Sequence, residues 1–188
     1  MDVVVAAYKE SLAWLQDLPV SFRVFVYLKD AERLAQVQKE APRAIVQVLP
    51  NVGRESHTYL HHIVTQYESL APYTFFFQGN PWDHVRKDQV EDAIQDVDTD
   101  FLPLGGVGDC DGNGFPHHYQ GIPVGKVHKE LFGEERDSFR FVAGAQFRVS
   151  SSHIHKLPKE TYQFLLDKHQ TIELLPWCME RFWFKMFA

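Results

Sequence analysis

A short polar loop in the amino-terminal half of the sequence has the residue types of an anion-binding site. Asn51 and Gly53 lie in this loop, and Arg54 follows at the predicted start of a helix. Backbone N–H groups and the helix dipole favour a negative charge at a helix start, and a guanidinium adds a matching cation. The loop therefore favours binding of a phosphate or a nucleotide, although an ordinary helix start with an arginine salt bridge would have the same residues.

A second polar loop follows a run of aromatic residues that predicts a buried strand, Thr74–Phe77. Its first residues are Gln78, Gly79 and Asn80, which precede a proline. Strand ends are where open α/β sheets place their ligands, and amides at the end of a buried strand need hydrogen-bond partners. We expect a ligand site here, and a plain Asn-Pro turn is the alternative.

An acidic loop, Asp109–Gly114, matches the first half of a calcium-binding EF-hand loop. The match then fails, because Gln120 stands where the bidentate glutamate belongs and Pro116 interrupts the pattern. We therefore interpret Asp109 and Asp111 as members of an acidic loop over an active site. They could bind a metal or sugar hydroxyls, or act as the base.

Paired histidines raise the question of a metal site, since imidazole is a common zinc ligand. The pairs are His57 and His61, His117 and His118, and His153 and His155. The segment HTYLH lacks the glutamate that a zinc hydrolase carries between its histidines. Polar or stacking roles are favoured, and a metal-dependent hydrolase built on the histidines and the acidic loop remains an alternative.

Glu180 lies in an aromatic, amphipathic segment that predicts a helix over Trp177–Phe187. A carboxylate among aromatic residues suits a general base that deprotonates an acceptor hydroxyl. An ion pair with Arg181 or Lys185 is the alternative. Glu180 is the first candidate for a catalytic base.

Composition restricts the class of protein. A chain of 188 residues with 45% hydrophobic content is long enough to bury one sizeable core. The net charge of −6 gives no overall footprint for nucleic acid, although a local basic groove is compatible with it. Cys110 and Cys178 fit a reducing compartment and free thiols. Met1–Val5 does not resemble a signal peptide, and no run approaches the ~20 apolar residues of a membrane span. We expect a soluble, cytoplasmic protein.

Alternating strands and helices must position these residues. The expected strands are Asp2–Ala7, Phe22–Leu28, Ala44–Leu49 and Thr74–Phe77, and the expected helices are Tyr8–Leu15, Asp30–Glu40, Ser56–Glu68, Pro158–His169 and Trp177–Phe187. Asp83–Asp100 fits either an exposed helix or a lid. This alternation predicts a three-layer α/β fold with a mostly parallel sheet flanked by helices.

The middle of the chain has a less regular pattern. Residues 101–126 are rich in Gly, Pro and His and predict a long functional loop, docked through Phe115, Tyr119 and Ile122. Phe139–Ser150 alternates again and predicts a strand pair, or one strand bent at Gly144. We expect one domain over residues 1–188.

Long segments of the sequence resemble an uncharacterised family known as a domain of unknown function. The segments are NVGRESHTYLHHI, YESL, FFFQGNP, AGAQFRVSSSHI, LPKETYQFLL and ERFWFKMF, and they cover nearly the whole chain. This resemblance implies no particular reaction.

The chain also resembles, more distantly, the nucleotide-sugar glycosyltransferases of the GT-A fold. These enzymes begin with a buried strand and βα units, carry Asn-x-Gly at a helix start, and later have an apolar strand ending in Asp-x-Asp. Asn51–Gly53 and Gln78–Asn80 stand at these two positions. GT-A enzymes also have a glycine-containing strand that faces the acceptor, and Gly144–Phe147 stand at a comparable position. Their acidic base lies near the start of a following helix, where this chain has Glu180.

This resemblance implies the transfer of a sugar to an acceptor hydroxyl. Because the sequence has no well-supported nucleophile for a covalent intermediate, we hypothesise an inverting, single-displacement reaction with a carboxylate base. The donor would be a nucleoside-diphosphate sugar, expected to be a UDP-sugar, and the acceptor a glycan, a small molecule or a hydroxymethylated base in DNA. Residues 1–84 would form the nucleotide-binding half and residues 85–188, with the loop 101–126, the acceptor-side half. The residues expected to bind the donor are Ala7, Tyr8, Asn51, Gly53, Arg54, His57, Gln78, Gly79, Asn80, Gly144 and Gln146.

The sequence departs from the GT-A pattern at the metal site. Gln78 and Asn80 replace the carboxylates that would hold Mn²⁺ or Mg²⁺ on the diphosphate. Either Asp83 and His84 hold a divalent metal, or cationic side chains such as Arg54 replace it. A catalytically inactive module that binds a nucleotide or a carbohydrate is the alternative to a transferase.

Overall fold

The computed structural model describes residues 1–96, 98–117 and 120–188. His118 and Tyr119, for which the sequence suggests metal and docking roles, lie outside the described residues. The strands are β1 (Asp2–Ala7), β2 (Arg23–Leu28), β3 (Ile45–Val48), β4 (Tyr73–Gln78), β5 (Phe101–Pro103), β6 (Val107–Asp111), β7 (Ser138–Val142) and β8 (Phe147–Ser150). The helices are α1 (Leu34–Glu40), α2 (Arg54–Gln66), α3 (Lys87–Gln95), α4 (Val124–Phe132), α5 (Ser151–Ile154), α6 (Lys159–Lys168) and α7 (Leu175–Phe187).

The main sheet has the strand order β3-β2-β1-β4-β8-β5. Strands β1 to β4 are parallel, and β8 runs antiparallel to both β4 and β5. Strand β1 is central, with Val4 opposite Phe25 on one side and Phe76 on the other. Helices cover the sheet, so the predicted three-layer, mostly parallel α/β fold is confirmed. Strands β6 and β7 form a separate antiparallel pair.

The main sheet is buried on both faces, as its continuous β-branched and aromatic strands require. Successive side chains of a strand point to opposite faces. Val4 therefore packs in the core that contains α2, α6 and α7, whereas Val3 and Val5 pack with residues of α1 and α3.

Helix α2 carries the apolar stripe that the sequence predicts. Tyr59, Leu60 and Ile63 are fully buried, and the helix packs against β1, α6 and α7. This packing holds the start of α2 at the edge of the sheet where the parallel strands end.

The segment after β1 differs from its prediction. Tyr8–Leu15 was expected to be helical, but the chain bends there and a 3₁₀ turn forms only at Ala13–Asp17. The Glu10 carboxylate accepts a hydrogen bond from the Tyr8 N–H at 2.8 Å. A local side-chain bond of this kind competes with helix formation.

The middle of the chain also needs correction. The predicted loop 101–126 contains the short strands β5 and β6, and α4 begins at Val124. The strands predicted within Phe139–Ser150 exist, but β7 and β8 belong to different sheets because a 3₁₀ turn at Ala143–Ala145 redirects the chain. None of the helices in the described part of the chain is long and apolar enough to cross a lipid bilayer.

Candidate functional site

The carboxyl ends of the parallel strands border a small cavity of about 210 Å³. Strand β1 ends there with Ala7 and Tyr8, and Lys29 follows β2. Gln78 and Gly79 close β4. Because β1 has β2 on one side and β4 on the other, the strand order reverses at this point. This is where open α/β sheets bind ligands.

A larger cavity of about 520 Å³ adjoins the small one. The two share Arg54, Glu55 and Gln78 as lining residues. The remaining walls of the larger cavity come from the loop after β4, the β6–β7 sheet, the 3₁₀ turn before β8 and helix α7. They include His84, Phe141, Gly144, Trp177, Glu180 and Arg181.

The start of α2 stands between the two cavities on an unusual backbone. Gly53 has φ 64° and Arg54 has φ 49°, so two consecutive residues are left-handed. A Cβ atom on Gly53 would lie 2.4 Å from His169 Cδ2 and 2.6 Å from His57 Cβ. Only glycine fits both this conformation and this space. Left-handed non-glycine residues cluster at functional sites, and Arg54 is one.

Lys29 fixes the loop that leads into α2. Its ammonium group donates to the carbonyl oxygens of Val52 and Arg54, the latter at 2.6 Å. Burial lowers the pKa of Lys29 to about 8. Lys29 therefore lines the smaller cavity with an ammonium group that already donates two hydrogen bonds within the protein.

The Arg54 side chain faces both cavities. It is about half exposed, at 55%, and its Nε lies 3.5 Å from Glu55 Oε2. Its guanidinium packs over the Trp177 ring, 5.3 Å from the ring centre. The expected ion pair at the helix start exists, but it leaves the guanidinium accessible to an anion.

Glu55 and Glu180 bring carboxyl groups to the larger cavity. Glu180 Oε1 accepts the Gly144 N–H at 2.8 Å, and Oε2 pairs with Arg181. Glu55 is more deeply buried, with 12% of its side chain exposed. Burial raises the pKa of the Glu55 carboxyl despite the neighbouring Arg54, and the nearby Glu180 raises it further.

The turn before β8 closes the larger cavity. Gly144 has φ 76°, and a Cβ atom on it would lie 2.5 Å from His84 Cδ2. Gln146 is fully buried. Its amide accepts the Gln78 N–H at 3.3 Å and donates to the Pro81 carbonyl at 3.1 Å. Gln146 therefore positions the loop after β4, and Gly144 lines the cavity.

The loop after β4 has a donor set that suits a divalent metal poorly. Gln78 and Asn80 are amides, and the exposed Asp83 accepts a hydrogen bond from Asn80 Nδ2 at 2.9 Å. Among residues 1–96, 98–117 and 120–188, no group of three His, Cys, Asp or Glu side chains could hold a metal ion. His84 alone of the predicted metal pair lines the larger cavity.

Comparison with known families assigns the chain. The model of the family described as "Protein of unknown function (DUF3431)" matches residues 3–102. The chain belongs to the DUF3431 family. A search of curated proteins found no match.

The DUF3431 match covers the lining of the smaller cavity and ends within β5. Of the larger cavity, it covers Arg54, Glu55, Gln78 and His84. The β6–β7 sheet, the turn at Gly144 and α7 lie beyond the matched region. The site is therefore built from the matched DUF3431 core together with a wall from the carboxyl-terminal part of the chain.

The structure brings together many of the predicted site residues. Those lining one or both cavities are Ala7, Tyr8, Asn51, Arg54, Gln78, Gly79, His84, Gly144 and Glu180. Gly53, Gln146 and His57 do not line either cavity. Gly53 shapes the start of α2, Gln146 positions the loop after β4, and His57 packs against His169 with ring centres 6.0 Å apart. Asn80 and Asp83 bond to each other.

The acidic loop lies elsewhere. The Asp109 side chain is 75% exposed and 4.0 Å from Arg140. Asp111 Oδ1 accepts the N–H groups of Asn113 and Phe115, at 2.8 and 3.0 Å, so it builds a turn. Asp111 borders a different surface cavity. Both cysteines are free and buried, and burial raises the pKa of the Cys178 thiol to about 12.

Sequence reasoning missed several lining residues. Lys29 and Glu55, within the DUF3431 region, look like ordinary charged residues until their burial is known. The positions of Trp177 and Arg181 could have been inferred from the sequence. They are four residues apart on the helix that carries Glu180, so they lie on one face of it, next to Glu180. His117 also lines the larger cavity, and the sequence had singled it out only as a candidate metal ligand.

Proposed function

We propose that the protein is a glycosyltransferase that moves a sugar from a nucleoside-diphosphate sugar, expected to be a UDP-sugar, to an acceptor hydroxyl. The observation that carries this proposal is the pair of adjoining cavities divided by Arg54, Glu55 and Gln78. A two-substrate transfer needs a donor site and an acceptor site that meet at the reacting bond. The motif positions shared with GT-A enzymes support the same assignment of the two sides.

The smaller cavity is the donor side in this proposal. The start of α2, where Gly53 makes no side-chain cap, offers the positive end of a 13-residue helix. Arg54 and Lys29 add positive charge next to it. The diphosphate lies at this helix start, and the nucleoside extends towards Tyr8 and Asn51. The negative charge that develops on the departing diphosphate is stabilised there without a metal-dependent step.

The larger cavity is the acceptor side. The acceptor hydroxyl gives its proton to Glu180 as its oxygen attacks C1 of the sugar, and the bond from C1 to the diphosphate oxygen breaks. Trp177 and Phe141 offer aromatic surface to the acceptor. The net charge of −6 favours a glycan or a small molecule over DNA as the acceptor.

The test is a panel of UDP, GDP and ADP and their glucose derivatives, with and without Mn²⁺. We expect one nucleoside diphosphate to raise the melting temperature, because a ligand of the folded state stabilises it. The matching sugar nucleotide should slowly lose its sugar to water, measured as released nucleotide. Binding without any release would favour the inactive binding module, and no binding at all would overturn the proposal.

Arg54→Ala tests the donor side. We expect about 10- to 100-fold weaker binding of the nucleoside diphosphate, since a charge-assisted bond contributes about 1.5–3 kcal/mol. Alanine tolerates a left-handed φ no better than arginine, so the backbone strain stays the same. Isothermal titration calorimetry measures the affinity.

The matched control for this prediction is Arg43→Ala, an exposed arginine that precedes the opposite end of β3. It should bind the nucleotide as the unmodified protein does. Equal affinities for the two variants would remove Arg54 from the donor side.

A further inference from the structure

Two carboxyl groups, those of Glu55 and Glu180, line the larger cavity in unlike surroundings. Glu180 receives the Gly144 N–H and the Arg181 guanidinium, and so has two donors for its two oxygens. Glu55 has the distant Arg54 Nε, at 3.5 Å, as its side-chain partner among the described residues, and its own backbone N–H as a further donor. When two carboxyl groups of one site are held in such different environments, they suit opposite roles in proton transfer.

The position of Glu55 distinguishes it from Glu180. Glu180 lines only the larger cavity, whereas Glu55 lines both. In the proposed reaction the bond that breaks lies at this junction, between the sugar in one cavity and the diphosphate in the other. Glu55 is therefore on the leaving-group side of the sugar, and Glu180 is on the acceptor side.

The charged groups around Glu55 come from several elements. Arg54 precedes it on α2, Lys29 approaches from the end of β2, and Glu180 approaches from α7. Tyr59, one turn further along α2, is fully buried. Burial dominates, and it raises the pKa of the Glu55 carboxyl. A bound diphosphate would add further negative charge and favour the protonated carboxyl more strongly.

We propose that Glu55 is the proton donor to the departing diphosphate, a role that rests on the proposed function. The glycosidic C1–O bond breaks, its electron pair goes to the diphosphate oxygen, and that oxygen takes the Glu55 proton. The acceptor oxygen bonds to C1 and its proton goes to Glu180. Water then returns a proton from Glu180 to Glu55, so the products are the glycosylated acceptor and a protonated nucleoside diphosphate. The donated proton neutralises the negative charge that develops on the diphosphate. In GT-A enzymes a metal would do this, but the amides Gln78 and Asn80 stand in place of the carboxylates that would hold it.

The decisive variant is Glu55→Gln, because glutamine has nearly the shape and the neutrality of a protonated glutamate. We expect an unchanged melting temperature and unchanged calorimetric affinity for UDP. The turnover of UDP-glucose, measured as released UDP, should fall about 100-fold or more. A purely structural ion pair would instead lower the melting temperature. The control is Glu68→Gln, an exposed glutamate just beyond α2.

A second measurement follows the Glu55 carboxyl itself, by carbon-13 NMR of protein labelled at the glutamate carboxyl carbon. The resonance lost in Glu55→Gln should titrate at a pH above the ordinary glutamate value of 4.5, and addition of UDP should raise its pKa further. Titration at that ordinary value, or full turnover by Glu55→Gln, would overturn the role of Glu55. Failure of the unmodified protein to release UDP or any other nucleotide from its sugar derivative would instead count against the proposed function.

Discussion

Glu180 is held from two directions, and this affects what its replacement can reveal. Its Oε1 accepts the backbone N–H of Gly144, at 2.8 Å, and its Oε2 pairs with Arg181. Arg181 is itself nearly buried and packs over the Phe141 ring, 4.4 Å from the ring centre. Part of the carboxylate therefore positions the turn before β8, and 19% of the side chain stays exposed to accept a proton.

Glu180→Gln should separate these two roles. The amide keeps an oxygen for the Gly144 N–H but cannot accept a proton from the acceptor. We expect a fall in kcat of about 100- to 10,000-fold with unchanged affinity for UDP. Glu173→Gln, an exposed glutamate before the same helix, is the control. Transfer at the normal rate by Glu180→Gln would place the base elsewhere.

At the scale of elements, the start of α2 depends on its contact with the end of α6. His169 follows α6, and its ring accepts or donates a hydrogen bond with Ser56 Oγ, at 2.7 Å, through Nε2. Its Nδ1 lies 2.9 Å from the Leu165 carbonyl. The ring is thus fixed at both nitrogens and cannot move aside when a side chain is added at Gly53. The geometry of the start of α2 is set by this contact.

Gly53→Ala should therefore destabilise the fold strongly. The left-handed φ of 64° costs an alanine ~1–2 kcal/mol, and contacts of 2.4 and 2.6 Å with His169 and His57 add to it. We expect a total loss of about 2–4 kcal/mol in the free energy of unfolding, measured by chemical denaturation. Gly133→Ala is a matched control, since Gly133 has φ 73° with no atom within 4 Å of the added Cβ. Equal losses for the two variants would show that the contacts at Gly53 are unimportant.

Elements with a regular hydrophobic pattern were predictable, and those without one were not. The apolar runs of β1 and β4 and the stripe of α2 follow from burial alone. Strand β6 carries two acidic residues and no alternation, so only its pairing with β7 makes it a strand. The position of the smaller cavity was predictable because parallel strands end at one edge. Lys29 and Glu55 were not, since their importance arises from burial by distant segments.

For the whole molecule, the histidines on the α2 and α6 side of the sheet determine the response to acid. Burial lowers the pKa of His57 to about 4, of His62 to about 3 and of His169 to about 4. Each ring is therefore neutral in the folded state at a pH where the unfolded chain, with its ordinary value of 6.5, binds a proton. Glu55 has a raised pKa, so at these pH values it binds at most one proton in the folded state that the unfolded chain lacks, and this favours the folded state in acid. The three histidines outweigh it.

Stability should accordingly be constant between about pH 7 and pH 8, where Lys29 begins to titrate in the folded state, and fall as the pH decreases from about 6.5 towards 4. Each neutral buried histidine contributes a slope of up to ~1.4 kcal/mol per pH unit. His62→Gln removes one such group and keeps an acceptor for the Tyr27 hydroxyl, which lies 2.9 Å from His62 Nδ1. Chemical denaturation across this range measures how the free energy of unfolding declines with pH. For His62→Gln this decline should be shallower by up to ~1.4 kcal/mol per pH unit, whatever the stability of the variant at neutral pH. A decline as steep as that of the unmodified protein would mean that His62 is already protonated in the fold, and that it does not drive acid unfolding.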